Sequence, residues 1–459
     1  MKTNELETGK LPFLFLRFVL PAVISMVLAG TQSMVDGLFL GKYASTNAMA
    51  SVNIAIPYMQ MIIGCTMIVC SGTISFLGRT LGRKSDKAKH KAQDIFRSSL
   101  LALLACSGVL MLLGMFANAT LAVLMGANDV LLADTARYIF VLSFFTPAIC
   151  FMILFGFTAR LLGKPQLYLI ATLTCLAGNV TMDFVAIKIL HLGATGAALA
   201  TGFSYAAGLL ITIRPLLKKQ SVINIYTGKF RFSLLRHTVL NGSSEGVNSL
   251  ATAVTVWLFN TALMNYAGES GVAAFTVINY ISNFVILVMF GVADGIGTMV
   301  SYNYGAGHLE RVRKILRLAL LLNLISGTLI FLILKLFSRP LIALFIPDQP
   351  AIMQMAVQGA QLYSIAFLLN GFNIVHSGYQ TALGNAVNSA LIAGSRGLIF
   401  ISAGMLLLPK IFAINGVWLS VPFAELITVL ICILLDRREY SRQRQLFQLP
   451  QKAPATSRG

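Results

Sequence analysis

Residues 11–41 read LPFLFLRFVLPAVISMVLAGTQSMVDGLFLG, an almost unbroken apolar run with one carboxylate, Asp36, set into it. Residues 14–39 exceed the roughly 20 apolar residues that cross a bilayer as a helix, so the run predicts a membrane span. By helical rise, Asp36 lies roughly 33 Å along the span from Leu14. A charge inside a span costs at least about 2.5 kcal/mol on insertion scales, which makes Asp36 a candidate functional group. The alternative is that it marks the water-facing end of the helix.

The rest of the chain shares this character. Of 459 residues, 57% are hydrophobic and 11% are charged, against roughly 25% charged in an average soluble domain. This composition predicts an all-α integral membrane protein. The net charge of +19 does not point to nucleic acid, because Lys and Arg cluster in short loops between apolar runs, where they act as topology signals. No small-residue cleavage site follows the first run, so it is expected to stay as the first span. The six cysteines all fall inside apolar runs without CxxC spacing, and are expected to be small core residues rather than disulfide or metal ligands.

Apolar runs and polar breaks predict about twelve spans, near residues 14–39, 51–76, 96–116, 135–157, 166–187 and 194–213, then 233–260, 272–300, 315–336, 358–381, 389–408 and 414–435. Basic residues follow the even-numbered spans: Arg79 to Lys91, Arg160 and Lys164, Lys218 to Arg236, Arg311 to Lys314, and Arg437 to Arg444. The loops after the third and seventh spans have none, which places both termini in the cytoplasm of a multi-pass plasma-membrane protein. Lys335 and Arg339, after the ninth span, run against the pattern.

The chain also repeats itself. Gly72-Thr73 and Gly82 with the basic segment beyond match Gly297-Thr298 and Gly307 with theirs. Residues 193–197 open the sixth span much as 413–417 open the twelfth. Two halves of six spans with the same topology imply parallel, pseudo-symmetric lobes, an architecture of alternating-access transporters. The predicted division is an N-terminal lobe over 1–213, a cytoplasmic linker over 214–236, a C-terminal lobe over 237–436 and a cytoplasmic tail over 437–459. A monomer of this kind would suffice for transport.

The intramembrane polar residues carry the functional reading. Asp183 lies roughly 26 Å along the fifth span, at a depth comparable with Asp36, and Asn179 shares its helix face four residues earlier. Two acids and a carboxamide suit a proton or a sodium ion; the alternative is two unrelated acids hydrogen-bonded for packing. Glu245, roughly 18 Å into the seventh span, is either a buried structural acid or a cavity acid. Arg396 and Glu425 are expected to pair within the C-terminal lobe as structural charges, with Asp294 as another candidate partner for Arg396. His376, with Asn370 and Asn373 in the tenth span, is expected to be a hydrogen-bonded polar residue rather than a proton relay. There is no GxxxxGK[ST] phosphate loop, no metal-spaced cluster and no catalytic constellation, so no cofactor and no enzymatic activity is expected.

At Pro21, at residues 34–41 (MVDGLFLG), at Gly78-Arg79 to Lys84, at residues 179–183 (NVTMD) and above all at residues 300–306 (VSYNYGA), the chain resembles the multidrug and toxic compound extrusion family. The resemblance runs to about Asp436. It implies two six-helix lobes around a central cavity that opens alternately to each side, and export of small organic cations in exchange for inward protons or sodium. It carries the cation site onto Asp36, Asn179 and Asp183, pocket lining onto Tyr138 and Thr201, and a helix hinge onto Pro21. The sodium-coupled norfloxacin-exporter branch has a further acid in the tenth span, where this chain offers only Asn370, Asn373 and His376. A proton-coupled mechanism in the N-terminal lobe is therefore favoured over sodium coupling. The alternatives are a lipid-linked precursor flippase of the same superfamily, which needs a basic cavity, and a channel, which needs a ring of filter residues.

Overall fold

The first apolar run folds as one continuous helix, Leu11–Tyr43, with Pro21 inside it. The structure is a computed structural model that describes residues 5–343 and 350–448, with the side chains of Ser33 and residues 439–448 outside the description. The predicted tail beyond Gln448, and the side chains of Arg442 and Arg444, therefore lie outside the described residues.

Among the described residues, ten helices are long and apolar enough to cross a membrane. An eleventh span is the pair Asp129–Phe144 and Thr146–Leu161, bent by 49° just before Pro147. The long helix Phe232–Gly305 supplies a twelfth, because it breaks at Gly268 with φ 60° and ψ −151°, a conformation essentially restricted to glycine. Gly268 thus makes the turn between the seventh and eighth spans almost without a loop. Elsewhere the loops end in helix caps: Ser45, Ser85 and Asn128 accept hydrogen bonds from the N–H groups of Ala48, Ala88 and Leu131 at 3.0–3.1 Å.

The outer faces confirm the medium. Leu38, Phe116, Leu210 and Leu406 are 66–81% exposed on helix surfaces, where only hydrocarbon would accept them in such numbers. Inside, two large apolar clusters form, beside a small one of Ile392, Cys432 and Leu435. One, holding Phe259, Phe275, Tyr363 and Trp418, belongs to the last six spans. The other fills the first six spans and continues into Val292, Ile296, Val300, Val312, Val375 and Leu383. The lobes are thus joined by a shared core at the end of the bundle that carries the basic loops.

Glycine makes that junction possible. Gly72 lies on the Thr238 carbonyl and Gly242 on the Ile68 carbonyl, so the second and seventh spans touch backbone to backbone. Gly82 packs on Tyr302 and Gly305 on Arg79, so the 300–306 stretch is part of the same seal. Ser75 Oγ donates to the Thr381 carbonyl at 2.5 Å across the junction. Gly72→Ala and Gly242→Ala would each drive a methyl group into a carbonyl, and each is expected to cost about 1–3 kcal/mol by overpacking. A lowered unfolding temperature of the purified protein checks this; an unchanged one would mean that the helices can part without penalty.

Beneath the seal, the short helix Glu5–Thr8 spans both lobes. Its buried Leu6 gives its carbonyl to Asn303 Nδ2 at 3.1 Å, and Glu7 pairs with Lys84 of one lobe and with His308 of the other. Hydrogen bonds from Lys84 and His308 hold the Glu7 carboxyl below the ordinary carboxylate range. This contribution is present at neutral pH and is lost as pH falls through that lowered value. The segment between the lobes is irregular from Leu217 to Arg231, and the next helix begins at Phe232, beside the expected start of the seventh span at 233. Gln93 and Asp94 tie it down, through Gln93 Nε2 to the Asn224 carbonyl at 2.5 Å and the Lys229 N–H to Asp94 at 2.8 Å.

Candidate functional site

Asp36 sits two turns before the end of its helix, and Thr201 faces it from Gly193–Thr212, donating through Oγ1 to Asp36 Oδ2 at 3.4 Å. Asp183 is the last residue of Pro165–Asp183, and Asn179 lies one turn before it on the same face. The helix then widens into a π-helix over Phe184–Ile189, a distortion frequent at functional sites. The Asp36 and Asp183 side chains interact directly, Asn179 lies within reach of Asp36, and Tyr138 feels the charge of both acids. Five of the predicted site residues are therefore brought together, and all are buried: Asp36 is 8% exposed and Asp183 fully enclosed.

The pocket is underused as a hydrogen-bonding site. Outside their contacts with one another, Asp36 Oδ1, both carboxylate oxygens of Asp183 and both ends of the Asn179 carboxamide have no hydrogen-bond partner. Among the described residues no Lys or Arg makes an ion pair with either acid. Lys188, on the adjoining π-helix, lies instead over the rings of Phe184 and Tyr43, at 4.6 and 5.0 Å. Two enclosed carboxylates without a counter-charge are costly to ionise together. Their oxygens, the Asn179 amide oxygen and the Thr201 hydroxyl form a donor set for a hard cation such as sodium, or for a proton shared between the acids.

The C-terminal lobe solves the corresponding problem differently. A second π-helix, Ser395–Ile399, carries Arg396, which binds Glu425 Oε1 through Nε and Nη2 at 3.0 Å. Asn373 donates to Glu425 Oε2 at 2.6 Å, and the Asn370 carboxamide faces the same carboxylate. His376 joins Asp436 at 2.7 Å through Nε2 and the Phe372 carbonyl at 2.9 Å through Nδ1, as a hydrogen-bonded polar residue. Glu425 thus has a cationic partner, which Asp36 and Asp183 lack among the described residues.

A central cavity lies between the lobes. Met26, Met67, Phe157 and Phe290 give it apolar walls, while Glu245, Asn248 and Asp294 supply polar groups. Glu245 is thus a cavity acid. Asp294 does not serve as the alternative partner of Arg396, nor as a charge internal to its lobe. It bridges the lobes to Arg160, with Nη1 at 2.6 Å from Oδ2. Arg160 is accordingly no exposed loop charge but a buried residue in the last turn of Thr146–Leu161. The one signal for it in the sequence is Phe157 a single turn earlier, over whose ring the guanidinium lies at 4.1 Å.

With this geometry in hand, the kinship of the chain can be placed. A sequence model of the MatE family matches residues 21–185 and 247–405, well over half of the chain. The chain belongs to the MatE family of transporters. The first match takes in Asp36, Asn179 and Asp183, and the second takes in Asp294 and Arg396. Among relatives, the multidrug export protein MepA of Staphylococcus aureus (strain NCTC 8325 / PS 47) is 24% identical over 425 residues, covering 92% of both chains. The MepA of Staphylococcus saprophyticus is 23% identical over 422 residues with the same coverage. Among solved structures, one described as MATE in complex with MaL6 superposes with a TM-score of 0.89 at 20% identity, over 97% of this chain and 100% of that one. A MOP superfamily transporter from Pyrococcus furiosus, whose description notes a reversed polarity of its binding pocket, superposes with a TM-score of 0.88 at 20% identity over 97% and 99%. The MatE fold, twelve spans in two lobes, is thus that of this multi-pass membrane protein.

Proposed function

We propose that this MatE protein is a secondary antiporter that exports small lipophilic organic cations in exchange for inward protons, by alternating access, from a plasma membrane with both termini in the cytoplasm. The observation that carries this reading is the buried Asp36–Asp183 pair with no cationic partner. With the pair ionised, the protein favours a lipophilic cation. A proton taken up from outside neutralises it, and linkage requires that each ligand weaken the other by the same factor. Pro21 supplies a place to respond. It leaves the Arg17 carbonyl without its helical N–H, and it lies between Val19 and Val23, which pack on Gly295 and Gly291 of the eighth span. Repacking that helix would disturb the junction between the lobes. The seal at the basic end, cytoplasmic by the positive-inside rule, suits a state closed towards the cytoplasm. The name of the MepA relatives supports multidrug export, and transport rather than catalysis. The acids of the central cavity weigh against a flippase for lipid diphosphates, which needs a basic cavity.

Ethidium export into the lumen of everted vesicles, with proton and sodium gradients imposed separately, tests the reading. A proton gradient alone is expected to drive efflux. A strict sodium requirement would transfer the donor set of Asp36, Asn179, Asp183 and Thr201 to sodium. Efflux under neither gradient, together with scrambling of a fluorescent lipid, would favour the flippase.

A further inference from the structure

Arg160 is 2% exposed, and its guanidinium is sandwiched by Phe157 at 4.1 Å and Tyr168 at 5.0 Å. It grips Asp294 through Nη1 alone, while Nε and Nη2 have no hydrogen-bond partner. A guanidinium that serves only as a strut would be expected to engage a carboxylate through two nitrogens and to satisfy its remaining donors. Asp294 differs from its partner in access: its side chain is 20% exposed and lines the central cavity beside Glu245. A cation in the cavity therefore meets the acid and not the arginine. The pair also joins opposite lobes, because Arg160 belongs to the fourth span and Asp294 to the eighth. Asp294 precedes Ser301, which packs on Gly78 in the seal, by seven residues or roughly 10 Å of helix.

Building on the export reading, we infer that Arg160 is a tethered competitor for the substrate. When the basic end closes, its guanidinium takes the Asp294 carboxylate that an organic cation occupies while that end is open, and so displaces the cation. One ion pair then performs two tasks, locking the lobes together and expelling the cargo. Reciprocity follows, since a cation held on Asp294 must oppose closure by as much as closure opposes the cation.

Two measurements on the purified full-length protein test this: the Kd for ethidium, and the distance between spin labels on Lys87→Cys and Lys314→Cys, with the six native cysteines replaced by serine. Both labelled positions are exposed, one on each lobe next to the basic end. Removing the competitor in Arg160→Gln is expected to tighten ethidium binding by about tenfold or more and to add a population at longer distance. Asp294→Asn is expected to lengthen the distance as well, but to weaken ethidium binding by a similar factor. Arg160→Lys, which keeps the charge, is expected to restore the wild-type distance. Unchanged distances in both neutral variants would overturn the lock, and weaker or unchanged ethidium binding in Arg160→Gln would overturn the competition. If Arg160→Gln does not fold, the distances in Asp294→Asn and Arg160→Lys still judge the lock, and unchanged ethidium binding in Asp294→Asn overturns the competition, since the contested carboxylate would then hold no cation. Wild-type protein that neither binds nor exports ethidium would sink the export reading and the competition with it, while the distances, which need no substrate, would still judge the lock.

Discussion

Asp36→Asn is expected to reduce proton-driven ethidium efflux by about 100-fold, the upper range of a coupling free energy of about 1–3 kcal/mol, without loss of folded protein. The substitution keeps the shape of the side chain and leaves an oxygen for the Thr201 hydroxyl. It removes one of two enclosed carboxyl groups with which, among the described residues, no Lys or Arg pairs. The unfolding temperature should therefore hold or rise, since an uncompensated buried charge has been taken away. Asp183→Asn should behave alike. The double variant should be no worse than either single one, because groups acting as one unit lose their function together. Initial rates from everted vesicles, set beside thermal unfolding of the same preparations, check both halves. A wild-type rate in Asp36→Asn would remove the pair from the coupling mechanism. A low rate accompanied by a low unfolding temperature would make Asp36 a packing residue.

The reason this cluster was legible lies in helix geometry. Depth along a span follows from counting residues, and Asn179 and Asp183 share a face by their spacing. The match of Asp36 and Asp183 in depth therefore follows from the sequence alone. Glycine and charge likewise marked the spans, their order and the repeat. The rotation of each helix about its axis relative to the other lobe was not legible. It is set by Gly72 on Thr238 and Gly242 on Ile68, contacts between residues more than 160 positions apart. For that reason the sequence offers Asp294 only Arg396, in its own lobe and already expected to pair with Glu425, while its actual partner Arg160 reads as a loop cation. The bend before Pro147 escaped for a related reason, whereas the turn at Gly268 falls inside the break expected between the seventh and eighth spans. A proline or glycine in a membrane helix permits a break without requiring one, and neighbouring helices decide.

The C-terminal lobe gives the opposite test of what a buried acid is for. Glu425 is 3% exposed and holds Arg396 and Asn373, with Asn370 facing it. Glu425→Leu would leave a buried guanidinium and two carboxamides without their acceptor, and is expected to destabilise the protein by about 3–5 kcal/mol. Replacing both charges, as Arg396→Met with Glu425→Leu, removes the unpaired buried charge and leaves only the two carboxamides to find other acceptors, so most of the penalty is removed, since buried ion pairs exchanged for apolar groups of similar volume are often neutral in stability. Thermal unfolding of the single and double variants should therefore show a large loss and a recovery. Efflux then separates scaffold from site. If the double variant regains both stability and efflux, Arg396–Glu425 is a strut, and the lobes have divided their tasks: one keeps its acids unpaired in order to bind a cation, and the other has neutralised its own. If stability returns but efflux does not, Glu425 takes part in transport, and the cation pathway extends beyond the Asp36–Asp183 pocket into the second lobe.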